Sequence, residues 1–201
     1  MTVSPRLVLA SGSETRARLL RQAGLAVSIV PPVLDEGIIK AGCQAGSVPA
    51  GQCAITLAEA KACQVARLDP EALVIGADQI LVCDGIWYDK PADQVAARDQ
   101  LSRLRGRRHE LATAVTLARA GTPLWHCLDR ACLTMRDFSD AALDAYLAGA
   151  GAAAFLSVGA YQLEGPGIQL FAAIAGDYFS ILGLPLLPLL ATLRDYGIVG
   201  R

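Results

Sequence analysis

Residues 6–30 read RLVLASGSETRARLLRQAGLAVSIV, a pattern that predicts a strand, a helix and a second strand in succession. Arg6–Ala10 is a short apolar run of the kind that forms a buried strand. The helix that follows has leucines and an alanine on one face, and Gly24 stands where a glycine commonly ends a helix. Ala26–Val30 predicts the second strand, and two prolines close it. Because two strands joined through a helix usually lie parallel, the segment predicts an α/β fold.

The rest of the chain continues this alternation of helices and strands. The hydrophobic spacing predicts further strands at Leu73–Ala77 (continued by Ile80–Cys83), His109–Ala118 and Leu124–Met135. It predicts further helices at 54–66, Pro91–Leu104 and Leu184–Tyr196, and a short helix that Ser139 caps. No internal repeat or low-complexity linker interrupts residues 1–201, so we expect a single domain with room for two lobes.

The composition excludes several classes of protein. With 53% hydrophobic and 18% charged residues, the chain is too apolar to be a disordered protein. Its formal net charge of -1 lacks the polycationic character of proteins that bind nucleic acid or anionic membranes, so neither partner is expected. Two stretches without charge, 145–163 and 178–193, are broken by glycines or prolines, and we interpret them as buried core rather than membrane spans.

The cysteines and histidines indicate which metal sites the chain can form and in which compartment it occurs. The six cysteines contain no CxxC pair, and the evenly spaced Cys43, Cys53 and Cys63 have no histidine nearby to complete a zinc site. Free thiols in a reducing cytoplasm are therefore expected. The apolar run Leu7–Ala10 is too short for a secretory signal peptide, which also favours the cytoplasm. Only two histidines occur, which excludes a His-rich metal site.

Two cations lie on apolar helix faces. Lys61 is the only charge on the stripe formed by the helix at 54–66, and Arg16 lies one turn before two leucines of the first helix. An unpaired cation is costly to bury, so each needs an anionic partner or a cleft. Alternatively, each could extend its charged end to water while its stem packs against the core. Two such residues near helix starts favour a bound anion.

A carboxylate interrupts the most apolar strand of the sequence. Asp78 lies in Leu73–Cys83, where every neighbour except Gln79 is apolar or glycine. Such a carboxylate should be paired, bound to metal or protonated. We expect Asp78 at the end of its strand, at the edge where open α/β sheets bind ligands. The alternative is an aspartate that only caps the following turn.

Polar loops add further candidates. Ser11 begins a Ser-Gly-Ser turn before the first helix, where backbone amides and a helix N-terminus can receive phosphate. Asp35 and Glu36 form an acid pair in a predicted loop that could hold a hard cation, although such pairs are often only solvated surface. Lys90 is a further cation, and the arginines at 105, 107 and 108 are interpreted as a solvated helix end. Together these residues suit metal-assisted chemistry on a polyphosphate and suit acyl transfer poorly.

A series of sequence blocks runs in order over nearly the whole chain. The blocks are LVLASGSETRARLLRQAGL (7–25), DE (35–36), AEAKA (58–62), VIGADQILVCDG (74–85), KP (90–91), LRGRRHELATAV (104–115), AYQLEGPG (160–167) and GDYFSILGLPLLPLL (176–190). Together they resemble the Maf family of nucleoside triphosphate pyrophosphatases. The resemblance implies an elongated mixed β-sheet flanked by helices, similar to the inosine triphosphatase fold, with two lobes, a central cleft and a homodimeric assembly. It also implies hydrolysis of a nucleoside triphosphate to a monophosphate and pyrophosphate with Mg²⁺ or Mn²⁺, the reaction of a house-cleaning pyrophosphatase.

The resemblance also assigns roles to residues of this chain. It implies that Asp78 is the catalytic acid residue and that Glu36 shares a divalent cation with it. It further implies that the triphosphate is held by Ser11, Arg16, Lys61 and Lys90. The sequence departs from the family in two places: Thr15 replaces an arginine, and residues 155–158 lack a lysine that many members carry.

The preferred base is expected to depend on Thr15, Gln79 and Glu164. Gln79 and Glu164 resemble the branch of the family that acts on 7-methyl-GTP, whereas Thr15 matches neither that branch nor the pyrimidine-preferring one. A carboxylate at Glu164 could accept hydrogen bonds from guanine N1–H and N2–H, and it would attract a cationic methylated guanine. Alternatively, Glu164 only pairs with a neighbouring cation.

A second function remains open at this point. Maf proteins are also linked to septum formation, so the chain could be a regulatory binding protein in cell division with little catalysis. The set formed by Asp78, Glu36, Lys61 and Lys90 favours the enzyme, because a protein that only binds need not retain it.

Overall fold

The structure is a computed structural model that describes residues 5–200. Its strands are β1 (Leu7–Ala10), β2 (Val27–Ile29), β3 (Leu73–Cys83), β4 (Ile86–Tyr88), β5 (Arg108–Arg119), β6 (Thr122–Met135) and β7 (Phe171–Ala175). Its α-helices are α1 (Glu14–Gln22), α2 (Glu36–Ala45), α3 (Ala50–Leu68), α4 (Gln94–Leu104), α5 (Asp140–Ala150), α6 (Tyr178–Ile181) and α7 (Leu186–Asp195). Short 3₁₀ helices lie at Gly151–Phe155, Val158–Ala160 and Pro166–Leu170.

The strands form a mixed sheet in the order β2-β1-β3-β5-β6-β7, with β4 paired to β3. Strand β1 is parallel to both β2 and β3, whereas the β3–β4 and β6–β7 pairs are antiparallel. The predicted parallel pair and the predicted mixed α/β sheet are thus confirmed.

The chain divides into two compact units. The first unit contains the chain up to Asp78, Thr113–Asp129 and the chain from Tyr178 onwards. The second unit contains Gln79–Ala112 and Arg130–Asp177. Strands β3, β5 and β6 each contribute residues to both units. The prediction of a single domain over residues 1–201 stays a prediction.

In the first unit, helices cover both faces of the parallel strands. Leu7 and Leu9 of β1 pack in a buried cluster with residues of α1 and α7. The alternate residues Val8 and Ala10 pack in a second cluster with residues of α3. Because both of its faces are buried, β1 consists of uninterrupted apolar residues rather than an alternation of apolar and polar ones.

Helix α3 approaches β3 most closely at Gly76. A Cβ atom at this position would overlap the carbonyl oxygen of Ala58 and lie 2.8 Å from the backbone nitrogen of Ala62. Only a glycine permits this approach. The contact matters for the site because Lys61 lies on the same stretch of α3 and Asp78 lies two residues after Gly76.

Several predicted boundaries differ from the structure. Helix α3 begins at Ala50 rather than at 54, and α4 begins at Gln94 because the Asp93 side chain caps it by accepting a hydrogen bond from Ala96 N. The largest difference is α2, which occupies residues that the sequence left as a loop. Its two glycines weaken the helical signal, since glycine is a poor helix former.

The two long stretches without charge are not continuous helices. Residues 145–163 run from α5 through 3₁₀ turns, and residues 178–193 are divided between α6 and α7. Among residues 5–200, no helix combines the length and the apolar character that crossing a bilayer requires.

Candidate active site

Lys61 is the centre of a buried ionic cluster in the first unit. Its side chain is only 6% exposed, and its Nζ lies 2.6 Å from Asp78 Oδ1 and 2.8 Å from Glu36 Oε1. The charged end of Lys61 therefore does not extend to water. The sequence favoured a bound anion as the partner of Lys61, and within the protein its partners are two carboxylates, from β3 and α2. The binding of phosphate by Lys61 stays a prediction.

Asp78 lies inside β3, so the prediction that it ends its strand is wrong. The physical reason is that β3 continues beyond its parallel neighbour: the pairing of β1 with β3 stops at Ala10 and Gly76. Asp78 consequently lies just past the carboxyl end of β1, which is the kind of position at which open α/β sheets bind ligands.

The two oxygens of Asp78 have different surroundings. Oδ1 accepts a hydrogen bond from Lys61 Nζ, whereas Oδ2 is buried and has no hydrogen-bond partner among the described residues. Burying a carboxylate oxygen without a partner costs free energy, so such an atom in a native structure needs an explanation. A bound cation or a water molecule is the simplest partner for it.

Asp35 and Glu36 have different roles in the structure. The prediction that they form an acid pair in a loop is wrong, because they begin helix α2. Asp35 is the N-cap of α2, and its Oδ1 accepts a hydrogen bond from Ile38 N at 3.1 Å. Glu36 is the first residue of that helix, and its side chain remains 42% exposed while it contacts Lys61. Of the two residues, Glu36 is the one that contacts the Lys61 cluster, and its sharing of a cation with Asp78 stays a prediction.

Arg16 is fixed at the N-terminus of α1 by three oxygen atoms. Its Nη1 donates to Ala77 O at 2.9 Å and to Ser11 Oγ at 3.2 Å, and its Nε donates to Gly183 O at 2.7 Å. Burial lowers the pKa of the Arg16 guanidinium from its ordinary value, and the charges of Asp78 and Glu36 raise it. Arg16 thus contacts the backbone of the residue that precedes Asp78.

The turn before α1 is held by side-chain hydrogen bonds. The buried Ser11 accepts from the backbone nitrogen of Ser13 at 3.2 Å, and Ser13 caps α1 by accepting from Arg16 N at 3.4 Å. Thr15 lies in the first turn of α1 and is half-buried. The N-terminus of a helix favours anions, so the turn is suited to phosphate as the sequence suggested.

Sequence reasoning missed Gly183, whose carbonyl oxygen holds Arg16. The backbone of Gly183 has φ +99°, and a Cβ there would lie 3.2 Å from Arg16 Nε. The segment GDYFSILGLPLLPLL at 176–190 was noted, but the contact uses a backbone oxygen, which has no signature in residue type.

Three predicted binding residues belong to the second unit. Gln79 follows Asp78 in β3 and is half-buried, whereas Lys90 and Glu164 are exposed. Their assigned roles stay predictions. In the same unit Arg107 is exposed and pairs with Asp84, in agreement with a solvated arginine, whereas Arg105 is half-buried, pairs with Asp140 and donates to Phe138 O.

The carboxylates of Glu36 and Asp78 fit a divalent cation whose remaining ligands come from substrate and water. No group of three or more His, Cys, Asp or Glu side chains suited to a metal ion occurs in the described part of the chain. Mg²⁺ commonly uses one or two protein carboxylates together with substrate phosphates and water. Glu36 and Asp78, with the unpartnered Oδ2, match that donor set, whereas zinc would need further nitrogen or sulfur ligands.

The two histidines lie outside this cluster. His109 is buried in the second unit, where its Nε2 lies 2.9 Å from Tyr161 Oη, and burial lowers its pKa to about 4. His126 lies at the surface of the first unit, 3.2 Å from Glu59. All six cysteines are free, and burial raises the pKa of Cys63 and Cys83 among them.

Known proteins similar to this chain align with it over nearly their whole length. The family model described as Maf-like protein matches residues 6–196. A Rhodospirillum rubrum protein named nucleoside triphosphate pyrophosphatase is 52% identical over 195 residues, 97% of this chain and 96% of the relative. A Granulibacter bethesdensis protein of the same name is 49% identical over 191 residues, 95% of this chain and 97% of the relative. A Mesorhizobium japonicum protein named 7-methyl-GTP pyrophosphatase is 47% identical over 197 residues, 98% of this chain and 99% of the relative.

Proposed function

The chain belongs to the Maf family, and on that basis we propose that it is a nucleoside triphosphate pyrophosphatase. The reaction adds water across the anhydride bond between the α and β phosphates and gives a nucleoside monophosphate and pyrophosphate. The observation that carries the proposal is the Lys61 cluster: two carboxylates share one buried ammonium, and one Asp78 oxygen is left without a partner.

Asp78 is the proposed general base, which accepts a proton from the attacking water. Lys61 holds Oδ1 and thereby fixes the orientation of the carboxylate, which orients the attacking water and accepts its proton. Its place within a strand of a packed sheet limits its movement. A fixed carboxylate next to the reacting bond lowers the entropic cost of reaching the transition state.

Glu36 and Asp78 are the residues that would hold Mg²⁺ or Mn²⁺. Such a cation neutralises the charge of the phosphates and polarises the bond that is cleaved. Lys61 and Arg16 supply protein cations for the same phosphates, and Ser11 and the N-terminus of α1 supply hydrogen-bond donors. Lys90 is proposed as a further phosphate contact.

The proposed base is a guanine, including 7-methylguanine. Two relatives, from Mesorhizobium japonicum and Rhizobium meliloti, are named 7-methyl-GTP pyrophosphatase, at 47% and 45% identity. Thr15, Gln79 and Glu164 are the proposed contacts, and the exposed carboxylate of Glu164 suits the two N–H groups of guanine.

The free cysteines support a reducing cytoplasmic compartment, and a homodimer is proposed as the assembly.

Pyrophosphate release from a panel of nucleotides tests the function. We expect hydrolysis that needs Mg²⁺ or Mn²⁺, and Asp78→Asn should lower the rate by about 10² to 10⁴ because the amide neither accepts a proton nor binds a cation well. Asp195→Asn, at an exposed residue of the same unit, is the control and should retain full activity.

Two results would contradict this proposal. The first is wild-type turnover by Asp78→Asn, and the second is undiminished activity in excess EDTA. Binding of nucleotides without any release of pyrophosphate would instead favour the regulatory alternative.

A further inference from the structure

Gln64 joins helix α3 to the loop that leads into Glu36. Its Oε1 accepts a hydrogen bond from Val33 N at 2.7 Å, and its Nε2 donates to Val33 O at 2.6 Å. The carboxamide thus pairs with both polar groups of one residue, as a neighbouring strand would do. We refer to this pair of hydrogen bonds as the Gln64 clamp.

The loop at residues 30–35 has few other attachments. Its beginning is held by Val30 N, which donates to Leu9 O at 3.0 Å, and its end is held by the Asp35 cap of α2. Pro31 and Pro32 lack backbone N–H groups, so the middle of the loop begins to donate hydrogen bonds only at Val33. The Val33 side chain itself is 87% exposed and contributes little packing.

The clamp and the ionic cluster originate from the same helix. Gln64 lies three residues after Lys61 on α3, a spacing that places two side chains next to each other on a helix. Lys61 contacts Glu36, and Gln64 contacts the residue three positions before Glu36. Helix α3 therefore contacts both the carboxylate of Glu36 and the loop segment that precedes Glu36.

We propose that Gln64 is a positioning residue, which acts through the Gln64 clamp to hold Glu36 where it contacts Lys61. The proposal deepens the proposed function, because it rests on Glu36 sharing the divalent cation. Groups that orient metal ligands commonly change metal affinity or activity by about 10- to 100-fold when they are removed.

Hydrogen exchange tests the clamp without any need for activity. In Gln64→Ala, the amide of Val33 loses its acceptor, so it should exchange at least about tenfold faster than in the wild type, and the Ile38 amide at the start of α2 should follow. Gln52→Ala removes an exposed glutamine from the same helix and is the matched control, which should leave both amides unchanged. Unchanged exchange of Val33 in Gln64→Ala would overturn the proposal.

Cation dependence tests whether the clamp acts on the site. We expect Gln64→Ala to raise the Mg²⁺ concentration for half-maximal pyrophosphate release about tenfold, with a smaller effect once Mg²⁺ is saturating. In a Glu36→Gln background, the same substitution should add little, because the residue through which Gln64 acts is already changed. Faster exchange with unaltered Mg²⁺ dependence would overturn the positioning role.

Gln64→Glu supplies a test by rescue. A protonated glutamic acid can donate to Val33 O and accept from Val33 N, whereas the carboxylate can only accept. The activity of Gln64→Glu relative to the wild type should therefore rise as the pH falls from about 6 to about 4, through the usual pKa of a glutamic acid, while that of Gln64→Ala should not. Parallel pH profiles of the two variants would count against the clamp.

If the wild type released no pyrophosphate at all, the proposed function would fail. The exchange of the Ile38 amide would still support or overturn the ordering of α2 by Gln64.

Discussion

Replacing Gly76 by alanine tests whether the close approach of α3 to β3 sets the geometry of the ionic cluster. The added Cβ would overlap the Ala58 carbonyl oxygen and lie 2.8 Å from Ala62 N. Because ordinary separations between such atoms are about 3.5–4.0 Å, α3 must move away from β3 by roughly 1 Å. A movement of this size exceeds the tolerance of the 2.6 Å hydrogen bond between Lys61 and Asp78.

Both stability and activity should change in Gly76→Ala. Overpacking of a close contact costs about 1–3 kcal/mol of unfolding free energy, measurable by urea denaturation. A misplacement of roughly 1 Å at a catalytic group can lower the rate about 10²-fold, measurable as pyrophosphate release. Gly42→Ala is the control: Gly42 is an exposed residue of α2 with open space at its Cβ position, so alanine should stabilise it by about 0.5–1 kcal/mol. Unaltered stability together with unaltered turnover in Gly76→Ala would refute the reasoning.

Three further predictions follow from individual side chains. Lys61→Ala should lower kcat, raise KM and destabilise the fold by about 3 kcal/mol, because it leaves Asp78 buried without its partner; a more stable and equally active variant would contradict this. Glu164→Gln should reduce the preference for guanine nucleotides over dTTP roughly tenfold in a substrate panel, and dTTP as the best wild-type substrate would exclude the assignment. His109 has its pKa lowered to about 4 by burial, so the unfolded chain binds its proton first as the pH falls. The wild type should therefore lose about 2 kcal/mol of stability between pH 7 and pH 5 that His109→Gln does not lose, as urea unfolding at both pH values would show.

The sequence predicted the residues whose charge conflicts with an apolar pattern. Lys61 and Asp78 were identifiable because each interrupts a run of buried apolar residues, whereas their pairing with each other was not predicted and is seen only in the structure. The parallel β1–β2 pair was predictable because a helix joins two apolar strands over a short distance. In these cases the chemistry of the side chain and the local period were sufficient.

Other features depend on contacts that residue type does not encode. The carbonyl oxygens of Ala77 and Gly183 hold Arg16, but every residue has a carbonyl group. Helix α2 was missed because its glycines hide the helical period, and its formation depends on the Asp35 cap. The roles of residues in the second unit, such as Glu164, depend on a ligand and so stay predictions.

The burial of Lys61 also determines how the site responds to ionic strength. Salt screens charges that are in contact with water, and it screens buried pairs much less. Arg98–Asp144 and Arg107–Asp84 of the second unit are exposed on both sides, whereas Lys61 and Asp78 are 6% and 7% exposed. Raising the salt concentration should therefore weaken the surface pairs while the Lys61–Asp78 pair persists. The Asp78 carboxylate should thus stay in place across a wide range of salt concentrations, even where the exposed ion pairs contribute nothing.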